Sequence, residues 1–236
     1  MSQSTVRYRF VLPGADDAVF DLAMDETNGR LEQPPIADPP PWAALEFRQC
    51  PNCPLSADES PLCPVARSLV DVVPRFEPLV SYDQLTVIVE TEDRTIRAER
   101  DVQAALSSMI GLIMASSGCP HTSFFRPMAR FHLPLSNERE TTHRVVTNWL
   151  LARHLCGTFG EATFDGLLRV YEQLQVVNAA LTKRLSAAGR TDSTLNAVVL
   201  LDLFALLVPA AIDDSLAELK VLLSDFVDAS GQREAT

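Results

Sequence analysis

The chain has 236 residues, 47% hydrophobic and 22% charged, enough apolar surface for one generous domain or two small ones whose core needs no metal to form. A formal charge of −11 argues against nucleic acid and against anionic membrane surfaces as main partners. The first ten residues lack the apolar stretch and cleavage site of a secretory signal, and five cysteines are an odd number for a disulfide framework, so a cytoplasmic protein is expected.

Thr5 to Leu12 alternates Val6, Tyr8, Phe10 and Leu12 with Thr5, Arg7, Arg9 and Val11, a period of two that predicts a strand with one mostly polar face. Pro13 to Asp17 predicts a turn, and Ala18 to Met24 the returning strand of a hairpin. Pro34, Pro35, Pro39, Pro40 and Pro41 predict a stiff crossing of polyproline type. Trp42 to Phe47 is expected to form a third strand leading into Cys50, and Val65 to Val73 has helical spacing. Leu85 to Thr91 carries the strongest strand signal, with a return at Thr95 to Ala98.

From Asp101 onward the pattern is helical. A helix over Val102 to Ser116 is expected to stop at Gly118. Asn137-Glu138-Arg139-Glu140 has the capping-box pattern and opens a helix to about Cys156, and Ser215 to Glu218 repeats that pattern at the expected start of the last helix. Phe164, Leu167, Tyr171, Leu174, Asn178, Leu181 and Leu185 step by three and four, a coiled-coil-like seam. Asn178 on that seam is expected to set register, within the bundle or in a homodimer through residues 161–188, with Asp202 as a partner for it or for Arg130.

Two apolar stretches are read as buried helices of a soluble protein rather than membrane spans. Val102 to Ser116 is too short for a bilayer core of ~30 Å. Leu195 to Ile212 carries Asn196, Asp202 and Pro209, and an aspartate near the bilayer centre costs roughly 3 kcal/mol. The expected fold class is α+β. A β-sheet and hairpin region with a Cys-rich metal loop occupies residues 1–100, and an antiparallel helical bundle occupies 101–236, tied to the first half in one compact domain.

Four of the five cysteines precede proline: Cys50-Pro51-Asn52-Cys53-Pro54, Cys63-Pro64 and Cys119-Pro120. Proline stiffens the chain beside each thiol, and four soft ligands on stiff turns suit a tetrahedral thiolate site. Cys50, Cys53, Cys63 and Cys119 are therefore the expected ligands of one metal, with His121 as reserve. Zinc is the expected ion. An iron–sulfur cluster is the alternative, and four unliganded thiols are the bland one. Cys156, among Trp149, Ala152 and Leu155, is expected to be a small core residue. His143 and His154 are eleven residues apart, about 16 Å along a helix, too far to share a metal.

No carboxylate occurs from Val102 to Asn137, in a chain with 31 of them, yet that stretch holds His121, Arg126, Arg130 and His132. If Ala129 to Leu133 is extended, Arg130 and His132 share one face and Phe131 and Leu133 the other. Arg126, Arg130 and His132 are thus candidates for an anion-binding or catalytic pocket beside the metal. The competing reading pairs these cations with the protein's own acids.

Cys50-x-x-Cys-Pro-Leu55, Cys63-Pro-Val-Ala66, Ser117-Gly-Cys-Pro120 and Arg126-Pro-Met-Ala-Arg-Phe-His-Leu-Pro134 together resemble an uncharacterised bacterial family of unknown function. The resemblance runs from Phe47 to the C-terminal helices. It implies a bacterial, intracellular protein and brings no activity or substrate with it.

Three functions compete. One is a metal-stapled scaffold, non-catalytic, that binds a small anionic ligand or a protein partner. The second is an enzyme acting on an anionic substrate through Arg126, Arg130 and His132. The third is an iron–sulfur or thiol redox protein. The sequence shows no Walker loop, GxGxxG, HExxH or Ser-His-Asp order, which weakens the familiar enzyme classes.

Overall fold

Alternation in the first strand decides which face of the sheet is covered. In a computed structural model describing residues 3–12, 14–158, 164–189 and 192–225, strand β1 (Gln3–Val11) buries Val6, Tyr8 and Phe10 and exposes the residues between them. Pro13 of the expected turn and residues 161–163 of the expected pairing helix lie outside that description. β2 (Ala18–Asp25) returns antiparallel to β1, as the hairpin reading requires.

The segment 42–47 departs from expectation: it forms a 3₁₀ turn at Pro41–Ala43 followed by further turns, with a single bridge from Ala44 to Leu62. The reason is tertiary. The carbonyls of Trp42, Ala44 and Leu45 are taken by one buried arginine instead of a neighbouring strand. The helical spacing at 65–73 resolves into two short pieces, α1 (Pro64–Ser68) and α2 (Val73–Phe76), each with proline in its first turn. Proline is tolerated there because the first-turn N–H has no helical acceptor.

β3 (Gln84–Glu90) pairs antiparallel with β1 and with β4 (Thr95–Asp101), giving a four-stranded antiparallel sheet of order β2-β1-β3-β4. β4 passes straight into α3 (Val102–Ser116), because Asp101 ends the strand and caps the helix, its Oδ1 accepting the Ala104 N–H at 2.9 Å. Eleven of the fifteen residues of α3 are buried. A helix apolar all round belongs in a core, and α3 packs on the covered face of the sheet in a cluster with Tyr8, Phe10 and Phe76. Phe10 and Phe76 meet edge-on at 4.9 Å.

Beyond α3, Arg126–Arg130 is a helix (α4), seeded by Pro127 in its first turn, so the extended segment expected over Ala129 to Leu133 begins inside a helix and continues through a turn at Phe131. That correction removes the alternation expected to align Arg130 with His132. α5 (Glu138–Leu155) opens with the predicted capping box, the Glu140 N–H donating to Asn137 Oδ1 and the Asn137 N–H donating to Glu140 Oε2. α6 (Asp165–Ala187) carries the seam, and Leu167, Tyr171, Asn178, Leu181 and Leu185 are all buried within the chain.

α7 (Asp192–Leu222) runs as one helix through both Pro209 and Ser215, so no helix starts at the second capping-box pattern. It packs against α3, α5 and α6. The expectation of burial holds for α3 and only in part for α7: Asp192–Ile212 is long and apolar enough to cross a membrane, and 28% of its most apolar stretch is buried. Val198, Ala205 and Val208 face inward, while Val199, Leu203 and Leu206 face outward.

The architecture is α+β, a four-stranded antiparallel sheet with two short helices between β2 and β3 and the longer helices after β4. Replacing the strand-to-helix cap by Asp101→Ala should lower stability by about 1 kcal/mol in urea unfolding, and Asp101→Asn should change it little, because an amide oxygen caps as well as a carboxylate.

Candidate functional site

Three separate segments carry the four cysteines that precede proline. Cys50 and Cys53 close a tight turn in which the Cys53 N–H donates to Cys50 O at 3.0 Å. Cys63 is the residue before α1, and its N–H donates to Ala43 O at 2.9 Å. Cys119 follows Gly118, whose φ of +94° lets the chain turn away sharply from the end of α3. The fold brings all four to one small pocket, together with His121, Leu45, Val177, Leu181 and Arg184.

Burial pushes the Cys50 thiol up to about 12, and the neighbouring Cys63, Cys119 and Cys53 push the same way while Arg184 opposes them. Burial also raises Cys119. The sulfurs are thus within electrostatic reach of one another. They do not stand as a formed coordination sphere: among the described residues no three His, Cys, Asp or Glu side chains have that arrangement. His121 is turned to the Cys50–Cys53 turn, its Nε2 2.6 Å from Asn52 O. Cys156 is exposed at the end of α5, not a core residue, because the last turn of that helix projects with Leu151 and Leu155 into solvent.

Arg184 is the residue that pattern reading missed. It is 2% exposed, and its guanidinium donates to Trp42 O (2.8 Å), Ala44 O (2.5 Å) and Leu45 O (2.9 Å). It makes no ion pair with a carboxylate among the described residues. A buried cation with only neutral acceptors is costly unless another charge lies near. The available signal was its place three residues after Leu181 and one before Leu185, inside the apolar stripe of α6.

The Arg126, Arg130 and His132 set is dispersed. Arg126 donates through Nε to Ser123 O and through Nη1 to Asn28 O. Arg130 lies 3.7 Å from Glu26 and over the Phe131 ring. His132 points inward, its Nε2 2.6 Å from Tyr8 Oη, which is itself 2.8 Å from Ser108 Oγ. Burial, helped by the positive charge of Arg144, pushes the imidazole down to about 3. It is neutral at physiological pH, and its neighbour Tyr8 is raised above the ordinary phenol range by burial.

His132 lines a second, much larger cavity of about 410 Å³ flanked by α3, α6 and α7, with Arg144 of α5 at its wall. Asn178 also lines it, fully buried, with Nδ2 donating to Asp202 at 3.4 Å and Oδ1 lacking a partner among the described residues. Of the two partners expected for Asp202, Asn178 and Arg130, it is Asn178 that meets it, while Arg130 lies near Glu26.

A family model for a domain of unknown function, DUF6901, matches residues 6–224, so the chain belongs to that family. No curated protein and no solved structure matches it.

Two outcomes follow from these contacts. Arg184→Met leaves three buried carbonyls without a donor and should cost about 3–5 kcal/mol in denaturant unfolding; Arg184→Lys should recover only part, since an ammonium cannot reproduce the planar fork. For His132 the native pKa lies below the unfolded value near 6.5. As pH falls from about 6.5 toward 3 the unfolded chain takes up a proton that the native state refuses. Its contribution is therefore complete above that window and lost within it, with a slope approaching 1.4 kcal/mol per pH unit. Urea midpoints of wild type and His132→Gln between pH 7 and 4 should diverge in that sense, the variant being less acid-sensitive.

Proposed function

We propose that this member of a family without an assigned activity is a non-catalytic binding scaffold, in which Cys50, Cys53, Cys63 and Cys119 hold one structural zinc ion. The observation that carries the reading is the meeting of four thiols, from three segments up to 69 residues apart (119 − 50), in one pocket beside a buried guanidinium. Zinc takes four thiolates tetrahedrally at about 2.3 Å, and rotations about the side-chain χ1 angles are the motion needed to bring the sulfurs to it.

The electrostatics favour the same reading. Four thiolates on a divalent ion leave the site at about −2, and Arg184 supplies a positive charge that no carboxylate among the described residues answers. The pocket has a volume of about 20 Å³, room for one atom-sized occupant before any side chain turns. Such an ion would pin the Cys50–Cys63 loop to the chain leaving α3, and reduced thiols of this kind belong in the cytoplasm.

The binding role is preferred to catalysis because the expected acid–base residue is unsuited to it. His132 is neutral until about pH 3, and Arg126 and Arg130 already have partners within the chain. Purified protein should be colourless and carry one zinc per chain by elemental analysis. Cys63→Ser should lose the metal and melt at a lower temperature that chelator does not lower further. Native protein that folds metal-free with four titratable thiols overturns the site, and a brown, iron-containing protein overturns the zinc assignment.

A further inference from the structure

The large cavity has a composition that the rest of the chain does not share. In a protein with 31 Asp and Glu residues, none among the described residues lines it, whereas Arg100 and Arg144 do. The acid-free stretch Val102 to Asn137 explains this directly, because α3 and the segment through Ser136 form much of the wall. The remaining wall is mostly aliphatic and aromatic, from residues such as Leu112, Phe125, Leu174 and Val208. A volume of about 410 Å³ is that of a small-molecule site, and such sites combine apolar walls with a few placed polar groups.

Two polar groups at the cavity have unused capacity. Arg144 donates from Nη2 to Met128 O (2.6 Å) and Phe131 O (2.8 Å), while Nε and Nη1 make no hydrogen bond to a described residue. Its nearest acid along the helix, Glu140, accepts the Asn137 N–H at 2.8 Å in the capping box. The guanidinium is half-buried and fixed in direction by the two carbonyls. Deeper on the α6 side, the fully buried Oδ1 of Asn178 has no donor. A buried acceptor left unpaired costs about 1–3 kcal/mol; a carboxylate with an apolar body has no donor for it, so a water trapped beneath the bound molecule is what relieves that cost.

From this combination we infer that the cavity binds a small monocarboxylate with an apolar body, of the medium-chain aliphatic or aryl-alkanoic kind, its carboxylate on Arg144 and its body between α3 and α7. The head group is a carboxylate rather than a phosphate monoester. With Nη2 committed to two carbonyls, Arg144 has no forked pair of N–H groups left, and the single N–H it can offer from Nε or Nη1 suits the one charge of a carboxylate, whereas a phosphate monoester carries nearly two charges and three acceptor oxygens to satisfy. The inference rests on the binding-scaffold reading and deepens it by naming the ligand. It also moves the anion site expected at Arg126 and Arg130 to an arginine one helix further on.

The test is calorimetric titration of the full-length, metal-replete protein with decanoate, 1-decanol and decyl phosphate. Decanoate should bind one per chain, at least tenfold tighter than either of the others. In Arg144→Gln the preference of decanoate over decanol should vanish while decanol affinity stays as in wild type. Because the Arg144 side chain also holds two carbonyls, a second measurement stands independent of that variant's folding. A diazirine-bearing decanoate photolysed with wild type should label peptides from 102–116 and 192–212. Absence of saturable decanoate binding, equal affinity for decanol, tighter binding of decyl phosphate, an unchanged preference in a folded Arg144→Gln, or labelling confined to other peptides overturns the proposal. Zinc content is measured on the same sample, so a metal-loaded protein that binds no decanoate counts against the cavity and leaves the staple standing.

Discussion

A guanidinium cannot leave water without replacing its hydrogen bonds, and the way Arg184 replaces them organises the first half of the molecule. Its donors reach the carbonyls of Trp42, Ala44 and Leu45 from α6, some 140 residues further along the chain. Those carbonyls are then lost to strand pairing, so 41–47 forms turns. The same turns leave Ala43 O to accept from Cys63 and Pro61 O to accept from Leu45. One buried side chain thereby sets the path of the loop that carries three of the four clustered thiols. It also stands beside them, the single positive group among the lining residues of a thiol pocket.

α3 is the second organising element, and both candidate sites take their position from it. Its first residue continues directly from β4 through the Asp101 cap, and its end delivers Cys119 through the positive φ of Gly118. Its flank forms a wall of the large cavity. Because the helix is buried nearly all round, its placement is set by the sheet on one side and by α7 on another. A displacement of α3 would be felt at both sites, since packed interiors transmit shape changes. The thiol pocket and the cavity are separate in chemistry all the same: one gathers soft sulfur donors, the other an apolar volume with an arginine at its wall.

The two sites also divide the chain's few buried cations. In a protein of net charge −11, Arg7, Arg9, Arg130 and Arg139 each reach a carboxylate, Arg7 meeting Asp21 at 2.6 Å. Arg184 and Arg144 form no ion pair with a carboxylate among the described residues, although Glu140 acts on Arg144 through space, and each donates instead to main-chain carbonyls. Carbonyl acceptors orient a guanidinium without cancelling its charge. What remains is a directed positive group, at the thiols in one case and at the cavity in the other.

Period-two and period-three-to-four patterns were enough to place β1, β3 and α6, because those elements bury one face and side-chain alternation follows backbone geometry. The Asn137 capping box was legible for the same reason: its contacts are local, within four residues. The Cys-Pro steps marked the residues that share a pocket, although spacing alone carries no distance. Tertiary structure decided the rest. The turns at 41–47 exist because Arg184 competes for their carbonyls from α6, and α7 runs through Ser215 in spite of a local start signal because the helix was already under way. His132 was expected to join Arg126 and Arg130 in an anion-binding or catalytic pocket beside the metal. Its meaning changed once α4 turned it inward onto Tyr8, where the low polarity of the core, which no local pattern encodes, holds it neutral.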